Sequence, residues 1–454
     1  MAKVTDMTTG SPFKKIFLFA LPLAIGHMLQ TLYALGDTLI VSLSRGELVV
    51  TGINLTSSLI FLVNGFAQGF TAGFGIKLSQ YVGAKKEDLM RKSVATSLIL
   101  TTTVSLILSV IFIILAPSIL TLMKTNEQFM EYAVDYIRAI FAGILFTSMY
   151  NLSAHFMRAM GDSKTPLTIL IICAILNIAL NSLLFITDLS AAWAGWATVL
   201  SQAISAIVGY VIIFKKYQVL RLTKQDLKLN KAFCFNHLAI GIPMAFQSTI
   251  TAISCMVQQV AFNSLPDPDC VMAQSTANKI DNLFSAVLFG STATMGVYCG
   301  QNYGANKLDR IKKGVKASYL MGLIFTAVSM SMNFIFCKPL SRLLLYGASD
   351  KVVNLIFQYI GIQSCFYYAL CILLYTRESL QGLGKSSLTV IGGITELFMR
   401  CFACFVLAKN FGYLGACFSN SLAWVGGMIC FIISFNVVIK KMQQKEQNGT
   451  IFTA

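Results

Sequence analysis

The sequence predicts an all-α integral membrane protein of twelve transmembrane helices, arranged as two six-helix bundles related as parallel repeats. Three observations carry that expectation. Long stretches hold almost no charge, basic residues gather on one side of those stretches, and the second half of the chain copies the first. The chain is 56% hydrophobic and only 12% charged, whereas a soluble domain carries about 25% charged residues.

A spanning helix needs about 20 mostly apolar residues, and the charges mark where each one stops. Span one, 16–42, follows Lys3, Lys14 and Lys15 and contains Pro22 and Asp37. Span two, 48–76, lies between Glu47 and Lys77, and span three, 93–117, opens after Lys92. Span four, 130–157, is interrupted by Glu131, Asp135 and Arg138. Spans five, 165–187, and six, 191–214, fit between Lys164 and Lys215. Span seven, 235–263, follows Lys231 and holds Pro243; span eight, 271–299, carries Lys279 and Asp281. Spans nine, 316–337, and ten, 352–376, end before Lys338 and Arg377. Span eleven, 388–408, holds Glu396 and Arg400, and span twelve, 412–438, stops before Lys440.

The net charge of +16 is a matter of topology. Of 35 Lys and Arg, 26 fall in the N-terminal arm, the tail and alternate loops, and 6 in the opposite loops. By the positive-inside rule both termini are cytoplasmic, and nucleic acid is not an expected partner. The first apolar run is too long for a signal-peptide core and is expected to be retained. Cys401 and Cys404 form the single C-x-x-C, inside an apolar span, which reads as buried thiols rather than a metal or redox site.

The copy is explicit. Ser79-Gln80-Tyr81-Val82-Gly83-Ala84-Lys85-Lys86 returns, 221 residues later, as Gly300-Gln301-Asn302-Tyr303-Gly304-Ala305-Asn306-Lys307, and Pro22 and Pro243 keep that offset. Gly161-Asp162-Ser163-Lys164 and Gly382-Leu383-Gly384-Lys385 sit in short loops at the same offset. Six spans per half return the chain to the same side, so the copies run parallel about an axis along the membrane normal. The expected divisions are an N-terminal lobe 1–218, a linker 219–231, a C-terminal lobe 232–439 and a tail 440–454.

Such duplication points to a transporter, and a pump needs an energy source. Gln381-Gly382-Leu383-Gly384-Lys385-Ser386 resembles the end of a phosphate-binding loop, but Ser379 replaces its first glycine and a membrane span precedes it. Ion coupling is expected instead. Ionised groups inside a bilayer are costly and functional by default. Asp37 is the clearest, with no basic residue near it in sequence; it is either a cation or proton site or a carboxylate solvated near the helix end. Asn177 and Asn181 share one helical face and either serve Asp37 or glue helices together.

Glu396 and Arg400 are spaced for an intrahelical pair, with a substrate role as the alternative. Lys279 and Asp281 face different directions and need separate partners; with Gln30 and Gln247 these residues make up the candidate substrate or secondary polar positions. His27 and His155 read as core histidines, and Pro22 and Pro243 as hinges.

Taken together the residues resemble the multidrug and toxic compound extrusion family over about 12–438. The markers are Gly36-Asp37-Thr38, Ser79-Gln80-Tyr81-Val82-Gly83-Ala84, Arg158-Ala159-Met160-Gly161-Asp162-Ser163-Lys164-Thr165-Pro166, Ala197-Thr198-Val199-Leu200-Ser201-Gln202, Gly300-Gln301-Asn302-Tyr303-Gly304-Ala305 and Glu396-Leu397-Phe398-Met399-Arg400. The resemblance implies a V-shaped pair of bundles that exports organic cations against a Na⁺ or H⁺ gradient. It also implies an N-lobe cation site at Asp37, Asn177, Asn181 and Thr198. Many members have aspartate where this chain has Asn181, and some have an acid in span seven, where 232–266 has none. A single carboxylate favours a proton over tight Na⁺ binding.

The expected function is therefore an antiporter for lipophilic, cationic small molecules, working by alternating access. No cofactor is expected, no metal beyond a possible Na⁺ at Asp37, and the protein is expected as a monomer in the cell membrane. The alternative is a flippase or exporter of lipid-linked oligosaccharide or another endogenous amphiphile, which should line its cavity with bases. An intramembrane enzyme would need paired carboxylates, a Ser/His pair or a metal cluster on facing spans, and the sequence offers none.

Overall fold

The computed structural model describes residues 5–45, 47–123, 125–185, 190, 192–345, 347–447 and 452. Its helices in chain order are α1 (Pro12–Arg45), α2 (Glu47–Gly83), α3 (Glu87–Leu122), α4 (Glu127–Ala142), α5 (Ile144–Ala159), α6 (Lys164–Ser182), α7 (Ala192–Lys216), α8 (Lys231–Asn263), α9 (Pro268–Gly304), α10 (Leu308–Leu344), α11 (Asp350–Cys365), α12 (Tyr367–Gly382), α13 (Ser386–Phe402) and α14 (Ala408–Gln447). No strand occurs among the described residues. In hydrocarbon every backbone N–H and C=O must be satisfied within the chain, and a helix does that locally.

Eight of these helices are each long and apolar enough to cross a membrane. The run Ser386–Gln447 supplies two more crossings, because a π turn at Ala403–Leu407 leads into Gly412, whose φ of +59° is the left-handed region that favours glycine. α13 and α14 then pack back to back, with Gly426 against Met399 and Gly427 against Glu396. The last two spans are each a pair of shorter helices. α4 and α5 meet at Gly143, and α11 and α12 meet at Phe366 with a 50° bend. These complete the twelve expected crossings.

The structure departs from the sequence reading in two respects. Spans four and ten were read as single runs, but each is divided into two helices; at the first division a Cβ on Gly143 would lie 2.2 Å from Val199 of α7. Helices also run past the charges that were taken as their ends, as in α2, which passes Lys77 to reach Gly83, and α3, which begins at Glu87 ahead of Arg91 and Lys92. A charge ends the hydrocarbon-facing stretch without ending the helix.

The chain divides into two compact units, one of Met1–Asp6 with Leu29–Thr249 and the other of Met7–Met28 with Ile250–Ala454. α1 and α8 thus pass from one unit to the other at Met28 and Thr249, again 221 apart. In the first unit α2 crosses the opening part of α8 so closely that a Cβ on Gly69 would lie 2.5 Å from the Met244 carbonyl oxygen. In the second unit a Cβ on the equivalent glycine, Gly290 of α9, would lie 2.6 Å from the equivalent carbonyl oxygen, that of Leu23 of α1. Such backbone approach is how small residues seat membrane helices.

The repeat holds at the level of single dihedral angles. Lys85 and Asn306, equivalent residues, both take φ of 56°. Their loops close with matching bonds, Ala84 N to Gln80 O and Ala305 N to Gln301 O, both 3.0 Å. One expectation is corrected: the second short loop turns on Gly384 (φ +72°), which matches Gly161 (φ +80°) at an offset of 223. Two extra residues have entered upstream, since α10 begins 221 residues after α3 while α11 begins 223 after α4.

Each unit carries its own apolar core. Leu59, Val63, Leu120, Ile137 and Phe141 fill the first, and Phe19, Leu288, Tyr298 and Tyr375 the second. Val110 and Ile114 of α3 are 58% and 67% exposed, as a lipid-facing surface requires. The N-terminal arm is tied down within the second unit. Arg310 donates to the carbonyls of Gly10 (2.8 Å), Met7 (3.1 Å) and Thr9 (3.2 Å), and Lys307 to that of Thr8 (2.9 Å).

Candidate functional site

In the first unit, two neighbouring apolar helices bring three polar side chains together. Asn177 and Asn181, one turn apart on α6, are fully buried. Asn181 Nδ2 donates to Asn177 Oδ1 at 2.9 Å, and Asn177 Nδ2 donates to Thr198 Oγ1 of α7 at 3.1 Å. The Thr198 hydroxyl donates to its own helix at Ala194 O, 3.1 Å away, which turns its lone pairs towards the amide. Trp193 Nε1 donates to Leu180 O at 2.8 Å and packs beside the cluster. The result is a chain of amides and a hydroxyl with oxygen acceptors in a water-poor setting. Such a chain can relay a proton or supply neutral ligands to a small cation. Asp37 lies on α1, and its side chain falls outside the described residues.

The second unit holds a different set. Asp281 of α9 is 9% exposed and accepts from the Tyr367 hydroxyl and from Asn333 Nδ2, the latter at 3.3 Å. Asn333 also donates to Tyr367 Oη (2.9 Å) and Ser364 Oγ (3.3 Å). In the same unit, Tyr359 of α11 donates to Asn278 Oδ1 of α9 (3.1 Å), and Gln258 Nε2 of α8 reaches Tyr359 Oη (3.1 Å) and Ser419 Oγ of α14 (2.8 Å). This is a carboxylate with fixed hydroxyl and amide donors. Lys279, two residues earlier, is exposed and shares none of those bonds, as the two-residue spacing requires.

Glu396 and Arg400 do not form the intrahelical pair that their spacing suggested. Both are buried, yet no ion pair joins them among the described residues. Arg400 Nη1 instead donates to Ser254 Oγ of α8 at 2.6 Å, while Glu396 Oε1 has no hydrogen-bond partner among the described residues. Long side chains follow available space, and Ser254 offered an acceptor on a neighbouring helix. Gln30 is exposed and Gln247 is 4% exposed. Pro22 and Pro243 lie within continuous α1 and α8.

One buried site escaped the sequence reading. His237 near the start of α8 is fully buried, with Nε2 2.8 Å from Ser93 Oγ of α3 and Nδ1 2.9 Å from Phe233 O. The carbonyl can only accept, so the proton sits on Nδ1 and Ser93 donates to Nε2. A lone histidine opening a span gives no sequence signal for a partner 144 residues away.

A family model described as MatE matches residues 22–183 and again 243–406. The chain belongs to the MatE family. Its two matches begin 221 residues apart, the offset of the internal repeat. The MatE proteins are multidrug and toxic compound extrusion transporters, so this is a multi-pass membrane transporter of small molecules. It is 26% identical over 343 residues to "Probable multidrug resistance protein YoeA" of Bacillus subtilis (strain 168), covering 74% of each chain. It is 22% identical over 397 residues to the "FAD transporter" of Shewanella oneidensis, covering 86% of this chain and 87% of that one. Its fold matches, at a TM-score of 0.91 and 18% identity, a structure described as the outward-facing conformation of a multidrug resistance MATE family transporter of the MOP superfamily. That match covers 97% of this chain and 99% of the other.

Proposed function

We propose that the protein is a secondary active antiporter that exports lipophilic, cationic small molecules by alternating access. The coupling ion is H⁺ or Na⁺, bound at Asp37 with Asn177, Asn181 and Thr198 as neutral partners. The observation that carries this reading is the buried amide–hydroxyl chain of Asn177, Asn181 and Thr198 between two apolar helices. Burying such groups costs free energy, and a site that must hold and release a charge accounts for that cost. A single carboxylate is neutralised by one proton, without the several oxygen ligands that a Na⁺ ion takes. The relatives named as multidrug resistance and export proteins support the substrate class. The positive-inside bias supports cytoplasmic termini, and the cell membrane is the proposed location, with the monomer as working unit.

A second reading is favoured by one observation. Arg400 is a buried cation with no carboxylate at ion-pair distance among the described residues, and a relative is named an FAD transporter. An anionic endogenous amphiphile would suit that arginine. Efflux from proteoliposomes separates the two, comparing a monovalent cationic dye with FAD under one imposed gradient. Cationic-dye efflux with no FAD movement supports the first reading; gradient-driven FAD movement in preference to the dye overturns it.

A further inference from the structure

A groove of about 680 Å³ runs along the side of the first unit between α3, α5 and α7. Its floor is apolar, formed by Leu98, Leu145, Ala203, Ala206 and Ile207 among others, and Lys215 closes one end. The polar groups in the wall are already used within the protein. Tyr210 donates to Met149 O at 3.2 Å, and Thr102 donates to Leu98 O at 2.8 Å. The walls therefore call for a hydrocarbon, and Ile207, 64% exposed, shows that the groove opens outward.

Two further features narrow the occupant. From Ala203 to Lys215 is twelve residues of one helix, about 18 Å at 1.5 Å per residue. That is close to one leaflet, since the hydrocarbon core is about 30 Å thick. Lys215, the penultimate residue of α7, is exposed and has no ion-pair partner among the described residues. Its neighbour Lys216 differs: it pairs with Asp162 at 2.5 Å. An unpaired ammonium at headgroup depth, above a slot one acyl chain long, is complementary to a lipid phosphate.

We propose that this groove is a binding site for an anionic phospholipid, with the acyl chain along α7 and the headgroup phosphate on Lys215. The site is separate from the Asn177–Asn181–Thr198 cluster and does not depend on its role. It would hold α3, α5 and α7 together from the lipid side, where their own side chains leave space. The lipid enters as a bound structural partner, not as cargo.

The test is native mass spectrometry of the full-length protein from nanodiscs of equal phosphatidylglycerol and phosphatidylcholine. Variants are Lys215→Gln, Lys215→Arg, Ala203→Phe to fill the slot, and Lys440→Gln as a distant charge control. Each variant is first checked for a parental elution profile and melting curve. The expected result is one retained phosphatidylglycerol on the parent, with preference over phosphatidylcholine falling about fivefold in Lys215→Gln, the factor one lysine near a surface gives against anionic lipid. Lys215→Arg and Lys440→Gln keep the preference, and Ala203→Phe retains neither lipid at this position. Equal retention of both lipids by the parent overturns the proposal. So does a preference that survives Lys215→Gln, retention that survives Ala203→Phe, or a second protein copy held by this face in place of lipid.

Discussion

Single side chains carry the coupling proposal, and the bonds around Asn177 set the energetics. Asn177 Oδ1 is the acceptor for Asn181, and its amide is the donor for Thr198. Asn177→Leu removes both at once, and a buried polar group left unpaired costs about 1–3 kcal/mol. The expected outcome is a lower melting temperature and dye efflux close to background. Asn181→Asp keeps the size and adds a second carboxylate, so it should shift gradient dependence towards Na⁺; an unchanged ion preference would count against the cluster as the coupling site. These residues were legible because one helical turn separates Asn177 from Asn181 and the family resemblance supplied Thr198. Asp281 was legible as an intramembrane acid, but Tyr367 and Asn333 were not, because partners 52 and 86 residues away leave no local spacing to read. Glu396 and Arg400 show the converse. Their spacing was right for a pair, and the acceptor that Arg400 uses lies 146 residues away in sequence.

Helices and loops show where the repeat is mechanical rather than decorative. Gly69 and Gly290 occupy equivalent crossings, with a Cβ at each facing a carbonyl at 2.5 Å or 2.6 Å. Gly69→Ala and Gly290→Ala should each cost about 1–3 kcal/mol by overpacking, read as a drop in melting temperature in detergent. Gly361→Ala, where the nearest neighbour is 3.8 Å away, should leave it unchanged.

The loop between α5 and α6 is held by Asp162, which accepts from Lys216 (2.5 Å), Thr165 Oγ1 (2.6 Å) and Tyr217 (2.6 Å). Burial works to raise this carboxyl, but the hydrogen bonds from Lys216, Thr165 and Tyr217 outweigh it and hold it down to about 2. Because the folded value is depressed, the clasp stabilises at and above neutral pH and is lost as pH falls from about 4 towards about 2. Asp162→Asn should melt below the parent at pH 7, and the gap should close across that acidic window. The number of spans was legible at this scale because charge placement reports it. The helix breaks at Gly143 and Phe366 were not, because neither residue interrupts an apolar run.

For the whole molecule, the 221-residue repeat is the feature that the sequence, the structure and the double family match share. What the sequence could not indicate is that α1 and α8 each cross between the compact units partway along. That follows from close crossings of backbone on backbone, which single-sequence hydropathy does not encode. The parallel arrangement predicts orientation. Single cysteines replacing Lys86 or Lys224, in a background lacking the native thiols, should label from the cytoplasmic side only, and one replacing Lys409 from outside only; mixed labelling would break the parallel-repeat topology. The antiport claim rests on Asp37, since an ionised carboxylate in a span costs several kcal/mol unless paired, protonated or cation-bound. The most direct measurement is dye efflux from proteoliposomes with pH and Na⁺ gradients imposed separately, comparing the parent with Asp37→Asn. The account predicts parental efflux that requires one of the gradients, and a correctly inserted Asp37→Asn protein with efflux near background and no ion dependence. Efflux by Asp37→Asn at the parental rate, with the same ion dependence, would contradict it.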